Sequence, residues 1–487
     1  MSGSGRRRVP VLAVAAGLSV VGVLLAGLTR TGYNLLVSNL RGEEVLGVLG
    51  PQIALAVLAS MLWPAAAGAA ASKFTARALG ARDAAQVAAL ARHLRRRTLA
   101  TGAVSAVLVG AWAGLRRGDG VGPALAVAAL AMAYAGYLLS RGTLLGHGRV
   151  ARATAWEGVA LVLALGCLLV LLLTGAALPL LLPLALGYAA YAVAGWPRAR
   201  GAGPLPPGLR REVDAFVAWG VLGNVASAGL LQLCLVVAGE AVPAREAGLL
   251  AAAVTLATPA SMLARSLVQV LFPAMARSAG AGDAAAVRRQ ADRVTRGAVA
   301  VFVPLFAVLV LGARPLLRLA GEDFAGGVPA LRVLLVAVLL TTLPVAAVAA
   351  LTSGAARGIR SSALMSTAGF AVGVGALAVL AGPFGVTGIA VAYLLGAAVT
   401  SALPWVVVWR AQGQRWAGPT LRVVAAVAAL VALVVVQEEA AATAWWAPVV
   451  SSAVFCAGWV LLSWGDVRGV LGSRGPGAAG GADTLAP

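Results

Sequence analysis

Long apolar runs recur along almost the whole chain, from residue 9 to residue 464, and only short polar connections separate them. Each run is long enough to cross roughly 30 Å of hydrocarbon as a helix. Glycine and proline are spread through the runs, which is typical of packed transmembrane helices and not of barrel strands. Of the 487 residues, 61% are hydrophobic and only 11% are charged, far from the composition of a water-soluble domain. The sequence therefore predicts an all-α, polytopic membrane protein.

The runs are interpreted as about 14 transmembrane helices. Their expected ranges are 9–38, 45–72, 98–114, 123–144, 153–174, 178–197, 216–239, 246–272, 297–313, 328–352, 362–381, 385–409, 421–437 and 446–464. Most of the 38 basic residues lie in the N-terminus and in every second connection. Under the positive-inside rule this asymmetry places both termini in the cytoplasm, as expected for a bacterial cytoplasmic membrane protein. The net charge of +21 then indicates topology and contact with anionic lipid headgroups, and no nucleic-acid partner is expected.

An internal repeat indicates a duplication. The sequence ASML at 59–62 recurs at 260–263, and the loop 78–96 aligns with 278–296, which places Asp83 over Asp283. Each copy holds six predicted helices in the same orientation, so the halves should be related by a pseudo-two-fold axis along the membrane normal, with a site at their interface. The expected organisation comprises a six-helix lobe (1–197), a cytoplasmic joint (198–215), a second six-helix lobe (216–409), two additional helices (410–464) and a disordered tail (465–487).

Sequence motifs for catalysis and for cofactors are missing. The chain has no G-x-x-x-x-G-K-[ST], H-x-x-x-H, C-x-x-C or G-x-S-x-G motif, so neither an enzyme nor a cofactor or metal site is expected. The polar residues in connections are interpreted as solvated surface; they are His93, His147, Glu43, Glu44, Glu438 and Glu439.

One polar stripe crosses an otherwise apolar helix. Thr258, Ser261, Arg265 and Gln269 follow one another at helical spacing, so they share one face. A charge at membrane depth is costly and usually faces a bundle interior or a wet cavity. Because an arginine that snorkels to the interface needs no such stripe, Arg265 and Gln269 are predicted to bind substrate.

The first helix of each repeat adds further polar positions. Arg30 is followed by Asn34 four residues later, and Arg30 could face a cavity or snorkel to the outer interface. Asn224 lies in the first helix of the second repeat. The predicted substrate-binding set is therefore Arg265, Gln269, Arg30, Asn34 and Asn224.

Two further charges have other interpretations. Arg332 lies only a few residues from the outer end of its predicted helix, and its side chain is predicted to snorkel to the outer interface. Glu157 lies near the end of its helix and is predicted to pair with Arg149 or Arg152.

Three short stretches resemble bacterial polysaccharide flippases. They are TRTGYNLLVSNLRGEEVLGVLG (29–50), SLVQVLFPAMAR (266–277) and GEDFAGGVPALRVLL (321–335). That family belongs to a superfamily with the MATE multidrug exporters and the lipid II flippases. The resemblance implies two six-helix lobes that face each other in a V. It also implies that undecaprenyl-pyrophosphate-linked sugars move from the inner to the outer leaflet by alternating access.

The leading functional hypothesis is a flippase for lipid-linked oligosaccharide in cell-surface polysaccharide synthesis. Arg265 and Arg30 would hold the pyrophosphate, because arginine stays charged and offers a planar fork of donors. The expected partners are the lipid-linked glycan and membrane lipids, with glycan polymerases and glycosyltransferases as candidates. The alternatives are a lipid II flippase, a MATE-like exporter and a membrane enzyme of glycan assembly. The two helices beyond twelve keep the lipid II flippase open, although NLLVSNLRGEE departs from the pattern of that family.

Overall fold

A computed structural model describes residues 8–117, 120–198, 203–280, 283–352, 356–440, 444 and 446–472. Within these ranges, side chains are not described for 8–16, 116–117, 263–274, 276–280, 284, 356–357, 359, 440 and 464–472. The prediction that the disordered tail begins at residue 465 was wrong, because 465–472 continue the last helix, and residues 473–487 lie outside the described part of the chain.

Every secondary-structure element in the described ranges is a helix. Its α-helices are α1 Arg8–Met61, α2 Pro64–Gly80, α3 Ala84–Arg117, α4 Val121–Gly146, α5 Val150–Thr174, α6 Leu182–Gly195, α7 Pro207–Asn224, α8 Leu230–Ala241, α9 Ala244–Gly280, α10 Ala284–Leu311, α11 Ala313–Leu317, α12 Val328–Thr342, α13 Val345–Thr352, α14 Ala356–Ala411, α15 Ala417–Ala440 and α16 Ala447–Gly472. A π-helical turn (Val225–Gly229) joins α7 to α8, and a 3₁₀-helix (Glu322–Gly327) precedes α12.

Two of these helices contain a reversal that divides them into separate membrane passes. Helix α1 turns at Gly42, where φ is 80°, and α14 turns at Gly385, where φ is 52°. Glycine adopts this region of φ without the steric cost that a Cβ would add. Counted with these reversals, the helices in the described ranges form 14 passes, and nine of the described helical segments are long and apolar enough to cross a membrane. The all-α polytopic prediction is confirmed.

Several helices begin earlier than the apolar pattern predicted. Helix α3 begins at Ala84 although its apolar run was expected to begin at residue 98, and α7 begins at Pro207 instead of residue 216. The first turns of these helices are polar, so they extend beyond the hydrocarbon. These helices are therefore longer than the membrane spans predicted at 98–114 and 216–239, because hydropathy locates the membrane part of a helix and not its ends.

The aligned aspartates of the repeat have the same structural role. Asp83 Oδ1 accepts a hydrogen bond from the backbone N–H of Gln86, and Asp283 Oδ1 accepts one from Ala286, both at 2.8 Å. Each carboxylate thereby caps the helix that follows it. The equivalence inferred from the sequence alignment thus extends to local structure.

The last two helices pack against the second lobe through polar contacts. Arg332 on α12 is only 8% exposed, and its Nη1 lies 2.7 Å from Glu438 Oε1 on α15. Gln437 Nε2 donates to the carbonyl of Leu311 at 3.2 Å, and Trp459 Nε1 on α16 donates to that of Ala300 at 3.0 Å. The predictions that Arg332 snorkels and that Glu438 is merely solvated were wrong, because α15 brings a carboxylate to the buried guanidinium.

Replacing Arg332 with Ala should loosen α15 from the second lobe. Removing one partner of a buried ion pair is strongly destabilising, but Glu438 is partly exposed and keeps Arg314 at 2.9 Å, so we expect a loss of about 1–3 kcal/mol. Thermal unfolding in detergent measures the loss. Arg318→Ala, at an exposed arginine nearby, is the control, and equal Tm values for the two variants would contradict this role of the pair.

Candidate translocation site between the two lobes

Polar side chains from both lobes meet at a small cavity deep in the helix bundle. Arg30, Thr31 and Asn34 on α1 line it from the first lobe, and Thr255 and Thr258 on α9 line it from the second. Apolar residues complete the wall; they are Gly50, Ile53, Leu235, Ala251 and Val254. Among the described lining residues there is no carboxylate, so the charge of this cavity is positive.

A hydrogen bond crosses the lobe interface in this cavity. Asn34 Nδ2 donates to Thr255 Oγ1 at 2.8 Å, and the Thr255 hydroxyl itself donates to the carbonyl of Ala251 at 2.7 Å. The amide oxygen of the same side chain, Asn34 Oδ1, is buried and has no hydrogen-bond partner in the part of the chain that the structure describes. A buried acceptor without a partner is costly, so the site is one where a donor group can still bind.

The cavity is small in this conformation. Its volume is about 30 Å³, which leaves room for only a few water molecules. A pyrophosphate does not fit unless α1 and α9 separate. Access to Arg30 therefore requires a movement of one lobe relative to the other.

Small residues bring the lobes together at the end of the bundle near Gly42. A Cβ on Gly47 would lie 1.7 Å from the carbonyl oxygen of Ala244, and one on Gly248 would lie 2.0 Å from that of Glu43. A Cβ on Gly50 would lie 2.7 Å from the Cβ of Ala251. Only glycine permits such backbone approach, so the surfaces of α1 and α9 fit tightly here.

Polar contacts reinforce this closed end. Glu43 forms an ion pair with Arg245, and Asn39 Nδ2 donates to the carbonyl of Leu319 at 2.8 Å. Each contact joins α1 of the first lobe to the second lobe. Glu43 was predicted to be solvated, which was wrong, because Arg245 at the start of α9 reaches it.

The remaining predicted site residues are placed differently. The backbone of Arg265 and Gln269 belongs to α9, but their side chains lie outside the described part of the chain. Position 265 follows Thr258 by seven residues, about 10 Å farther along the same helix. Asn224 ends α7 directly before the π-turn, away from the residues that line the Arg30 cavity.

A second buried polar cluster lies inside the first lobe. Arg141 Nε lies 3.0 Å from Glu157 Oε1, which also accepts a hydrogen bond from Tyr137 Oη at 2.9 Å. The prediction that Glu157 pairs with Arg149 or Arg152 was wrong. Arg141 lies in the last turns of α4, which ends at Gly146, and from there its side chain reaches Glu157 on α5.

The lobes also touch on the side of the bundle that carries the N-terminus. Phe74 on α2 packs edge-on against Phe216 on α7, with ring centroids 5.5 Å apart, and Arg77 forms a bidentate ion pair with Glu212. This pair lowers the pKa of the Glu212 carboxyl, because the guanidinium stabilises the carboxylate. His93 Nε2 lies 2.8 Å from Asp214, so the prediction that His93 is a free surface residue was wrong.

The sequence could have indicated some of the residues that it missed. Thr255 shares a helix face with Thr258, and Gly47 and Gly50 also share a face, which indicates close contact because small residues are enriched where membrane helices pack together. Arg141 and Arg245 gave no such signal, because nothing in the sequence around either residue indicates its carboxylate partner.

Comparisons with known proteins agree with this architecture. The family model described as "Lipid II flippase MurJ" matches residues 203–463, which is more than half of the chain. The chain belongs to the MurJ lipid II flippase family. No curated protein sequence matches it significantly.

Solved structures share the fold with this MurJ-family chain. A lipid II flippase MurJ in an inward closed conformation superposes with a TM-score of 0.70 at 10% identity, covering 93% of this chain and 99% of its own. The MATE multidrug transporter DinF-BH in complex with R6G gives 0.61 at 17% identity, covering 84% and 97%. An inward-facing MATE family transporter of the MOP superfamily gives 0.59 at 17% identity, covering 84% and 98%. The predicted relationship to this superfamily is confirmed.

Proposed function

We propose that the chain moves lipid II across the membrane by alternating access between its two lobes. The observation that carries the proposal is Arg30, held with Asn34, Thr255 and Thr258 in a positive cavity at the lobe interface. An intramembrane arginine without an ion-pair partner among the described residues is available to an anionic substrate. Family membership favours lipid II over the cell-surface oligosaccharide that the sequence resemblance favoured.

The closed contacts near Gly42 supply the first half of the mechanism. With Glu43 bound to Arg245 and Gly50 against Ala251, the site cannot be reached from that end. We infer that substrate enters from the N-terminal side, which the basic connections place in the cytoplasm. Separation of α1 from α9 at the Gly42 end would then release it to the opposite leaflet.

The roles of the cavity residues follow from their chemistry. The Arg30 guanidinium would donate two parallel hydrogen bonds to pyrophosphate oxygens. The Thr258 hydroxyl and the Asn34 amide would donate to the remaining oxygens, and Asn34 Oδ1 would accept from a sugar hydroxyl or amide. Arg265, farther along α9, would meet the same pyrophosphate earlier on its path. The prenyl tail would stay in the lipid while the headgroup crosses between the lobes.

Rescue of two depleted bacterial hosts separates the candidate substrates. One host lacks its lipid II flippase and the other lacks the flippase for a surface polysaccharide. We expect the wild-type chain to restore growth of the first and not the surface polymer of the second, and Arg30→Ala at equal abundance to restore neither. Rescue of the second host alone would show that the substrate is a surface oligosaccharide.

A further inference from the structure

A basic pocket lies at the end of the first lobe on the side that carries the N-terminus. Its volume is about 220 Å³, and it is lined by the ends of α4, α5 and α6 together with residues of α2 and α3. Four basic side chains face it; they are His147, Arg149, Arg152 and Arg198. No carboxylate occurs among its described lining residues, so these charges are not neutralised within the pocket.

The helix ends explain why the charges converge. Helix α4 ends at Gly146, and His147 Nδ1 lies 2.8 Å from the carbonyl oxygen of Thr143. The chain reverses at Gly148, where φ is 70°, and α5 begins at Val150, so the N-terminus of a 25-residue helix opens beside the pocket. Arg152 Nη2 donates to the carbonyl of Ala194 at 3.2 Å, which holds its guanidinium at the pocket wall. Three arginines and a helix N-terminus together favour a phosphate group.

An apolar groove begins where this pocket ends. Trp196 and Arg198 line the pocket and also line a groove of about 660 Å³ between α3, α4 and α6. Ala129, Ala133 and Ala189 line this groove and also line a second apolar groove of about 650 Å³. The second groove continues to Leu178 near the opposite end of α6.

The two grooves lie on the surface of the lobe that faces lipid. Val193 is 79% exposed and Leu178 is 60% exposed, so no helix in the described part of the chain covers this surface. Each groove has the volume typical of a ligand site, between roughly 300 and 1,000 Å³. Pocket and grooves together form a path from a cluster of positive charge to a hydrocarbon-facing surface.

We propose that this path binds one anionic phospholipid, with its phosphate in the basic pocket and an acyl chain in the groove. Charge complementarity selects the headgroup, since basic pockets between transmembrane helices bind anionic lipids. The shared residues Trp196 and Arg198 select a lipid over a free phosphate, because a free phosphate would leave the adjoining groove empty. The site is separate from the Arg30 cavity and lies within one lobe. Binding there would stabilise the packing of α4, α5 and α6 against each other.

Titration of the purified full-length chain in detergent with a fluorescent phosphatidylglycerol tests the proposal. The variant Arg149→Gln/Arg198→Gln removes two exposed charges of the pocket, and we expect it to weaken binding at least about tenfold. Arg211→Gln/Arg288→Gln removes the same charge from exposed positions outside the pocket and should bind like the wild type. Arg149→Lys/Arg198→Lys should retain most of the affinity, which separates loss of charge from loss of fold.

Ala189→Phe tests the groove independently of the charges. Its ring should fill the place where the two grooves meet, so phosphatidylglycerol should bind at least about tenfold more weakly while the chain keeps its Tm. Equal binding of phosphatidylcholine and phosphatidylglycerol would overturn the proposal. Equal weakening by the Arg211/Arg288 control would also overturn it, since any positive surface would then suffice. Competition by inorganic phosphate, with no effect of Ala189→Phe, would identify a free-anion site instead and refute the lipid assignment.

Discussion

Replacing Arg30 with Ala should reduce lipid II transport about 10- to 150-fold while leaving the abundance of the protein near normal. A hydrogen bond to a charged group contributes about 1.5–3 kcal/mol, and each 1.4 kcal/mol is a factor of ten. Abundance should persist because removing an intramembrane charge relieves a desolvation cost and leaves no partner unpaired. Transport into the outer leaflet and the amount of folded protein are measured on the same preparation.

Three further variants define what the Arg30 result means. Arg30→Lys keeps the charge but loses the bidentate fork, so it should retain partial transport. Arg41→Ala removes an exposed arginine directly before the turn of α1 at Gly42, outside the cavity, and should transport like the wild type. Arg265→Ala should resemble Arg30→Ala, since both positions are expected to hold the pyrophosphate. Loss of folded protein in Arg30→Ala would mean instead that Arg30 has a structural role.

A disulfide between positions 50 and 251 should stop transport completely and reversibly. The close approach of Gly50 to Ala251 brings the two backbones within reach of a disulfide after a small adjustment, since bridged Cβ atoms lie roughly 3.5–4.5 Å apart. Gly50 belongs to the first lobe and Ala251 to the second, so the bond holds the Gly42 end closed. Gly50→Cys/Ala251→Cys, with the three native cysteines replaced, should be inactive when oxidised and recover on reduction.

A disulfide within one lobe is the matched control. A Cβ on Gly110 would lie 3.1 Å from the Cβ of Ala128, and both residues belong to the first lobe. Oxidised Gly110→Cys/Ala128→Cys should therefore keep its transport rate. Full transport by the oxidised 50/251 pair would rule out separation of the lobes at this end.

The fold could be predicted from the sequence to the extent that its signals are local. An apolar run long enough to span the membrane must form a helix, because no water is present to satisfy the backbone. The equivalence of Asp83 and Asp283 could be predicted because each aspartate caps a helix through the backbone N–H only three residues farther along the chain. Arg30 and Asn34 were predicted for the site because polar residues are rare and costly in such helices.

The ion pairs depend on packing and could not be predicted in the same way. Arg332 and Glu438 are 106 residues apart, and Glu43 and Arg245 are 202 residues apart. Nothing in either local sequence indicates the partner, so a solvated or snorkelling side chain was the simplest interpretation of each. The pairing of Glu157 was wrong for a related reason, since Arg149 and Arg152 are near Glu157 in the sequence, whereas Arg141 reaches it only through the packing of α4 against α5.

Translocation of lipid II by the purified chain in liposomes tests the central claim most directly. Fluorescent lipid II is placed in both leaflets, and a membrane-impermeant quencher reports how much of it becomes accessible over time. We predict that wild-type protein makes the inner-leaflet lipid accessible, that Arg30→Ala does so about 10- to 150-fold more slowly, and that the oxidised 50/251 variant behaves like protein-free liposomes. Equal lipid II accessibility with wild-type protein, Arg30→Ala and empty liposomes would contradict the claim that this cavity moves the lipid headgroup.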